Sequence, residues 1–518
     1  MGKLQQFLTG LAACFGAILM GSLNVWPSYT LELYTDNTTT LLTAPMSEFE
    51  SSLVGSLPSL GAMLGTGITG VIIDFFGRKR GAMLLILPII LCWIIIEFSS
   101  SSIPILIARF MGGVGGGANL VYAPIYISEM AEPSIRGSLA SGTVSLYCLG
   151  ALLSYLSGWF LSYGMIIWVN LSLCIAALVL LSIVVESPMF LLRQKNEQEA
   201  LKALAHYRTG STGSKSVLEE LSLMKQQLLP PVELVSVNAD AEANEEATEK
   251  EKLNTDEVVV VVPPKSSSLK LLLCACGGCV RTGANRRAAF TSNASCRAFL
   301  VVGTALTLQV MMGMIAVQVY AGTLFKQAAP DLSAHFCSAL FALVLLAGGT
   351  VTGIVADKAG RRVLVISSSA LVALCMGALG FLMQSGVAPA WVSAVVILVY
   401  CFCFNFGAGS VPYVLLAEVF TSEVQGIASM ILVEWVWLLN FVLIAVFPFM
   451  KSLMGVHGAF YVFACVAVAN TILSYINIPE TKGLSNKQIQ EVLHPKVDKQ
   501  NSIDASLSVC QKAVFQEP

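Results

Sequence analysis

Charge is what this sequence has least of. Only 12% of its 518 residues are Asp, Glu, Lys or Arg, whereas 55% are hydrophobic. Soluble proteins carry about 25% charged residues, so the composition predicts a membrane protein with the lipid bilayer as its partner. The net charge is only −2, and the basic clusters lie at the edges of apolar runs. We therefore expect no nucleic-acid partner.

Histidine is also scarce, and catalytic or metal sites are commonly built from it. The four histidines fall at no metal-ligand spacing, and the sequence has no phosphate-binding loop before a helix. No nucleophile lies beside a base in a recognisable pattern. We therefore expect no enzyme activity, no cofactor and no metal site. The 14 cysteines lie mostly within apolar runs, where cysteine packs as a small hydrophobic side chain.

Apolar runs long enough to cross a bilayer, which takes about 20 residues, recur along the chain. The predicted spans are 7–28, 52–73, 81–98, 104–127, 139–160, 163–185, 298–322, 334–355, 363–384, 389–414, 428–450 and 457–478. The sequence thus predicts an all-α membrane protein with twelve transmembrane helices. It divides into a six-helix half (1–185), a loop (186–297), a second six-helix half (298–478) and a tail (479–518).

Basic residues collect on one side of the predicted spans. They are Arg78, Lys79, Arg80, Arg136, Lys358, Arg361, Arg362, Lys482 and Lys487. By the positive-inside rule this side is cytoplasmic, and so are both termini. The first loop on the other side contains Asn37-Thr38-Thr39, a sequence that accepts N-linked glycans. We therefore expect Asn37 to be glycosylated and the protein to reach the plasma membrane.

The long polar loop has its own organisation. Glu197–Arg208 and Ser216–Leu229 are predicted to be short amphipathic helices, and Glu242–Glu257 to be disordered, because it is acidic and lacks aromatic residues. A cysteine cluster follows at 274–279. A metal site is one interpretation of it. Acylation or electrostatic attachment to the inner leaflet, or a plain linker, fits a single cluster without histidine better.

One ten-residue pattern occurs twice, each time between two apolar runs. Residues 70–79 read GVIIDFFGRK and residues 353–362 read GIVADKAGRR. An internal repeat of this kind predicts two related membrane halves. Each copy predicts a tight turn whose aspartate pairs with an arginine or caps a helix, and whose first glycine, such as Gly70, allows close helix approach. The alternative is a generic hairpin on the basic side.

A second set of motifs includes the glycine-rich stretch RFMGGVGGG at 109–117, which predicts close packing and bending of the fourth span. Glu129 and Arg136 follow and are expected to pair across a helix junction. The remaining motifs, in order, are PIYISE at 124–129, ESP at 186–188, GAGSVPY at 407–413, AEVF at 417–420 and PETKG at 479–483.

Together these motifs resemble the sugar porter family of the major facilitator superfamily, and the stretch 46–93 is similar to insect facilitated trehalose transporters. The resemblance implies two pseudo-symmetric six-helix halves that rock around a central site, giving alternating access. It also implies an inner gate made of the repeated turns and the Glu–Arg pairs. The gating residues are then Asp74, Arg78, Lys79, Arg109, Glu129, Arg136, Asp357, Arg361, Arg362 and Glu418.

The sequence departs from the family pattern where sugar is bound. In helix 7 the family carries two glutamines and an asparagine, but only Gln309 is kept, with Val310 and Ile315 in the other two places. Val144 stands where helix 5 of glucose transporters has a glutamine. Gln425 replaces the arginine expected seven residues after Glu418, which would leave the second latch without that cation.

The substrate-binding residues that the resemblance implies are Asn24, Gln309, Gln318, Asn405, Tyr413, Trp437 and Asn440. Glu434 adds an ionisable group at predicted membrane depth, which suggests a coupling proton or a cationic substrate group. The alternative is a side chain that extends from near the inner helix end into water.

Three functions fit these observations. The first is a secondary or facilitative transporter that moves trehalose or a hexose. The second is a transporter of the same fold for a less polar solute, because each unmet buried hydrogen-bonding group of a sugar costs about 1–3 kcal/mol. The third is a non-transporting sugar sensor or scaffold that signals through the long loop, a reading favoured by that loop and by Gln425.

Overall fold

The computed structural model describes residues 2–38, 41–208, 213–228, 293–420 and 422–480, with the side chains of 216, 227, 293–294, 352–359 and 422–423 left out. These residues are helical apart from short connections. The predicted acidic segment, the cysteine cluster at 274–279 and the tail beyond residue 480 lie outside the described residues.

The first half contains six spans. They are α1 (Gly2–Val25) with its continuation α2 (Pro27–Thr35), α3 (Glu48–Phe76), α4 (Arg78–Phe98), α5 (Ser102–Met130), α6 (Pro133–Phe160) and α7 (Tyr163–Ile183). Pro27 lacks the backbone N–H that an uninterrupted helix would use, and it starts α2 at a position where that loss costs nothing. All six spans fall where the sequence predicts them.

Three short helices follow: α8 (Pro188–Arg193), α9 (Glu197–Arg208) and α10 (Lys215–Leu228). The bounds of α9 are the predicted ones, and those of α10 differ by one residue at each end. Tyr207 of α9 is fully buried. Its hydroxyl shares a hydrogen bond of 2.7 Å with Tyr126 of α5 and donates to the Val185 carbonyl, so α9 is anchored to the first half.

The second half repeats the arrangement. Its helices are α11 (Asn293–Met311), α12 (Met314–Val319), α13 (Ala321–Ala328), α14 (Ala334–Ala359), α15 (Arg361–Ser385), α16 (Ala390–Cys403), α17 (Val411–Glu418) and α18 (Ser422–Asn477). A π-helical turn, Phe404–Ala408, joins α16 to α17. Gly455 interrupts α18 with non-helical angles, so α18 comprises two successive spans.

Close backbone contact holds the first half together. A Cβ on Gly61 of α3 would collide with the Phe110 carbonyl of α5, and one on Gly113 of α5 would collide with the Pro58 carbonyl of α3. Small residues at such crossings let two helix backbones touch, which maximises dispersion contacts where the surrounding lipid gives no hydrophobic drive. The glycine-rich stretch therefore packs α5 against α3, as predicted.

The two halves meet along their flanks. α3 packs against α18 and α6 packs against α14, while α1 and α2 contact α12 and α13. Eleven helices are long and apolar enough to cross a membrane by length and composition. One of these is the double-length α18, so the described residues accommodate twelve spans.

Candidate functional site: a central polar cluster and two basic corners

A hydrogen-bonded cluster joins the two halves at the centre of the bundle. The Tyr147 hydroxyl of α6 accepts from Asn24 Nδ2 of α1 at 3.1 Å and from Gln318 Nε2 of α12 at 3.3 Å. The Tyr155 hydroxyl, two turns further along α6, donates to the Gln318 carbonyl at 2.7 Å. We call these four residues the central cluster. Asn24 and Gln318 were predicted from the sequence, whereas Tyr147 and Tyr155 were missed.

Gln309 lies on α11, nine residues before Gln318 of the central cluster. Its side chain is partly buried, and within the described structure its Oε1 atom is buried without a hydrogen-bond donor. An unmatched buried acceptor costs about 1–3 kcal/mol, and a ligand hydroxyl placed there would remove that cost. Gln309 is therefore suited to receive a hydrogen bond from a polar solute.

The other predicted binding residues lie on three elements of the second half. Asn405 lies in the π-helical turn and donates from Nδ2 to the Cys401 carbonyl at 2.9 Å. Tyr413 on α17 is 40% exposed. Trp437 and Asn440 on α18 are half-buried.

The three apolar replacements do not share one environment. Val144 is 59% exposed, while Val310 is 4% exposed and Ile315 is half-buried. Val310 packs against neighbouring side chains in this arrangement of the halves. The apolar substitution at Val310 serves packing. Tyr147, three residues after Val144, supplies a polar group on α6.

The halves are closed together at the end of the bundle opposite the basic residues. The Gly322 N–H of α13 donates to Ser28 Oγ of α2 at 2.7 Å. Lys326 Nζ lies 3.1 Å from a carboxylate oxygen of Glu32. The central cluster therefore lies behind a set of contacts between α2 and α13.

The first copy of the repeat forms a compact corner at the basic end. Gly77 has φ +92°, and a Cβ there would lie 2.6 Å from Glu186 Oε2. The Glu186 carboxylate accepts from the N–H groups of Arg78 (2.8 Å) and Lys79 (3.1 Å), the first residues of α4. A carboxylate is stabilised at a helix N-terminus by these unpaired donors and by the helix dipole. Glu186 thus caps α4, a role the sequence did not reveal.

Arg78 connects this corner to the end of α5. Its Nε and Nη2 atoms donate to the two Glu129 oxygens at 2.8 and 2.7 Å, and Nη1 lies 2.9 Å from Asp74. The two parallel bonds to one carboxylate fix both position and orientation. Glu129 therefore pairs with Arg78. The expected partner, Arg136, instead donates to the Ala131 carbonyl at 3.2 Å, so the predicted Glu129–Arg136 pair is not formed in this arrangement of the halves.

The second copy builds the same corner. Gly360 has φ +90°, and a Cβ there would lie 2.7 Å from Glu480 Oε2. Glu480 accepts from the Arg361 N–H at 3.0 Å, and Arg361 Nη2 donates to Glu418 at 2.9 Å. Glu418 therefore has a cationic partner although residue 425 is Gln. The side chain of Asp357, the predicted counterpart of Asp74, lies outside the described residues.

The second basic residue of each corner also has a matching role. Lys79 Nζ donates to the Ser182 carbonyl near the end of α7, and Arg362 Nη2 donates to the Tyr475 carbonyl near the end of α18. The last carbonyls of a helix lack partners within the helix, and cations are favourable there. Each corner thus joins the start of one helix to the ends of two others.

Two sequence predictions about these motifs need correction. Arg109 does not belong to the basic end, because it lies twenty residues before Glu129 on α5. It is fully buried and donates to the Leu23 and Val54 carbonyls at 2.7 and 2.9 Å, so it holds α1, α3 and α5 together. Gly70 faces outward, and a Cβ there would meet nothing within 4 Å, so it makes no close helix approach.

Glu434 is half-buried on α18 and contacts α3. Its Oε1 atom accepts a hydrogen bond of 2.7 Å from Thr66 Oγ1 of α3. Glu434 is twelve residues from the start of α18, which corresponds to about 18 Å of helix rise. The prediction that it is a side chain reaching water from the helix end does not fit this contact, whereas membrane depth does.

Comparison with known proteins matches this architecture. Residues 4–237 and 282–493 match the family described as "Sugar (and other) transporter". A facilitated trehalose transporter, Tret1 of Drosophila virilis, is 24% identical over 505 residues, covering 96% of this chain and 50% of the relative. A Tret1-2 homolog of Drosophila sechellia is 24% identical over 500 residues, covering 95% of this chain and 92% of the relative. The chain thus spans about half the length of the first of these two relatives.

Solved structures give the same fold. The inward-open xylose transporter XylE of E. coli superposes with a TM-score of 0.71 at 21% identity, covering 94% of this chain and 99% of XylE. The family match extends over most of the sequence and both halves. The chain therefore belongs to the sugar transporter family, and its described helices have the twelve-span fold of the major facilitator superfamily.

Proposed function

We propose that this transporter moves a small sugar, trehalose or a hexose, across the plasma membrane by alternating access. The observation that supports it best is the central cluster, in which Asn24 and Gln318 from opposite halves meet on the Tyr147 hydroxyl. A site shared between the halves can be exposed to either side as the halves rock. The curated relatives named as trehalose transporters support the same class of solute.

The chemistry of the cluster suits a polyol. A sugar hydroxyl is both donor and acceptor, so it can enter between Tyr147 and either amide, accepting from the amide and donating to the phenol oxygen, without leaving a polar group unmatched. Gln309 offers an additional unused acceptor. These groups offset part of the hydrogen bonding lost where the family amides are replaced, because each well-made bond contributes about 1 kcal/mol.

We assign the two corners to the gate at the cytoplasmic face. The ion pairs described there, Arg78–Glu129 and Arg361–Glu418, each lie within one half, while contacts between halves close the opposite end. With the basic end cytoplasmic, this arrangement is an inward-facing one. Both termini are then cytoplasmic. Asn37, exposed just after α2, then faces the outside as a glycan acceptor.

The test is sugar binding and flux with the purified full-length protein. Trehalose and glucose should each be tried for thermal stabilisation, because a ligand bound only by the folded state raises Tm with its concentration. Counterflow of the stabilising sugar in liposomes should be saturable. We expect Gln309→Ala and Tyr147→Phe to weaken the sugar response about fivefold to tenfold, the equivalent of about 1–1.4 kcal/mol.

Ser172→Ala is the matched control, because that hydroxyl is exposed on α7 and bonds only to the backbone of its own helix. An unchanged response in Gln309→Ala and Tyr147→Phe would contradict the assigned site. Stabilisation by an apolar glycoside or aglycone, with none by sugars, would instead support a less polar solute. Val144, which is 59% exposed, is an apolar side chain that such a solute could contact.

Saturable flux would also exclude a sensor that does not transport. One argument for that alternative was the missing cation at residue 425. Arg361 supplies a cation to Glu418 at 2.9 Å, so the argument loses its basis.

A further inference from the structure

Glu434 and Thr66 form a hydrogen bond between the two halves at mid-membrane depth. Thr66 lies ten residues before the end of α3 and Glu434 twelve residues after the start of α18, so both are about 15–18 Å from the basic end. The hydrocarbon layer is about 30 Å thick, which places the pair near its middle. Gly67 beside Thr66 leaves the carboxylate room, with Oε1 only 3.5 Å from where its Cβ would be.

The Thr66 hydroxyl has one proton and three acceptors within reach. These are Glu434 Oε1 at 2.7 Å, the Met63 carbonyl at 2.9 Å and the Ala62 carbonyl at 3.0 Å. An ionised Glu434 can accept the proton of Thr66. A protonated Glu434 can donate to Thr66 Oγ1 while Thr66 donates to Ala62. The pair is therefore hydrogen-bonded in either charge state of the carboxyl group.

Among the described ion pairs, none includes Glu434. Charged or titratable groups occur on the helices packed against α18 and on α18 before Gly455. They are Glu48, Glu50 and Asp74 on α3, Cys296 and Arg297 on α11, Arg361, Arg362 and Cys375 on α15, Tyr413 and Glu418 on α17, and Glu423, Glu434 and Lys451 on α18. Asp74 is about 12 Å of helix rise beyond Thr66. A carboxylate without a cation at this depth is costly, and a proton removes that cost.

We propose that Glu434 is a proton-exchange site that makes transport depend on pH, with Thr66 as its hydrogen-bonding partner. Hydronium from the cytoplasmic side gives one proton to a Glu434 oxygen, leaving water and a neutral carboxylic acid. The proton returns to water when rocking of the halves separates the pair and exposes the carboxyl group. This proposal rests on the proposed transport function.

The test is the pH profile of sugar exchange in liposomes with equal pH on both sides, from pH 5 to 8. We expect one titration in the wild type, with a slope of up to tenfold per pH unit on its limb. Glu434→Gln cannot exchange a proton and should give a profile that is flat within about twofold. Thr66→Val removes a donor to the ionised form and should move the midpoint to higher pH. Thr66→Ser keeps the hydroxyl and should retain the wild-type midpoint.

Glu97→Gln is the control for loss of an acidic residue, because Glu97 lies near the end of α4, away from the contact between α3 and α18. It should keep the wild-type profile. The same profile in Glu434→Gln as in the wild type, or a wild type with no pH dependence, would overturn the proposal.

A second measurement separates this proposal from the transport function. The Tm of purified wild type and Glu434→Gln, measured without sugar, should differ by an amount that changes between pH 5 and 8. A difference that stays constant would overturn the proton site even if sugar is transported. Failure of sugar flux in all variants, with the pH-dependent Tm difference present, would sink the transport proposal and leave the proton site standing.

Discussion

Gly77 holds a backbone conformation that an L side chain reaches only with strain. Its φ is +92°, and a Cβ would lie 2.6 Å from Glu186 Oε2. Gly77→Ala should therefore lower stability by about 1–3 kcal/mol, since the backbone is strained and the Glu186 cap of α4 is displaced. Thermal unfolding in detergent measures this loss.

Gly70→Ala is the matched comparison in the same motif. Gly70 is helical with open space around its Cβ position, and alanine is favoured over glycine in a helix by up to about 1 kcal/mol. Its Tm should stay equal or rise. If the two variants lost equal stability, the corner would not depend on the conformation of Gly77.

Individual site residues were only partly predictable from the sequence. Asn24 was predicted because it stands where the family has a glutamine, and Gln318 because it could replace a lost family amide; the structure places both in the central cluster. Tyr147 did not stand out, because tyrosine is ordinary in a membrane helix and the sequence does not show which face meets the other half. Arg109 was misplaced for a related reason. A motif shows only the neighbours of Arg109 along the chain. Its hydrogen-bond acceptors, the Leu23 and Val54 carbonyls, belong to other helices.

A buried phenol is one of the contacts that attach α9 to the bundle, beside hydrogen bonds made by Gln6 and Arg208. Burial raises the pKa of Tyr207 to about 12, although its hydrogen bond with Tyr126 opposes the shift. An unfolded tyrosine has a pKa of about 10. Because the folded-state value is the higher one, the neutral phenol stabilises the docked helix fully below pH 10, and this contribution is lost as the pH rises toward 12.

Tyr207→Phe should remove that dependence. The variant loses two hydrogen bonds of the hydroxyl and should open α9 more readily by about 1–2 kcal/mol at neutral pH. Hydrogen exchange of α9 between pH 7 and 11 measures this opening, after correction for the intrinsic exchange rate. Equal protection in wild type and variant at pH 7 would show that the Tyr207 hydroxyl does not anchor α9, and that its packing and the bonds of Gln6 and Arg208 suffice.

The helices themselves were largely predictable. The twelve predicted apolar runs correspond to twelve spans, and the amphipathic pattern of Glu197–Arg208 predicted the bounds of α9. The break inside the seventh span was not predicted: Gly313, with φ +86°, separates α11 from α12. Hydropathy averages over a window and is unaffected by one residue's dihedral angles. Such breaks follow from tertiary packing, which the pattern of apolar residues does not contain.

Closure opposite the basic end includes an exposed ion pair between the halves. Lys326→Glu would set a second carboxylate opposite Glu32 and turn attraction into repulsion, which for exposed charges amounts to about 1 kcal/mol. The population open on that side should rise about fivefold. A Ser28→Cys background, whose residue is buried behind this contact, should react correspondingly faster with a membrane-impermeant maleimide.

Exchanging the two charges provides the control. Glu32→Lys combined with Lys326→Glu restores an attractive pair and should return the maleimide rate to that of the background. If the double variant stayed as reactive as Lys326→Glu alone, the increase would come from local distortion rather than from the charge pair.

Among the described residues, α9 is attached to the first half through Tyr207, so the two halves differ in the helices that they carry at the basic end. The described contacts fix α9 and α10 to the first half, while the corner at Gly360 has no comparable attachment among the described residues. A donor dye on the exposed Ser222 of α10 and an acceptor on the opposite half would therefore read the rocking angle directly. Each transition between the inward-facing and outward-facing arrangements should therefore be visible as a change in energy transfer between the two dyes.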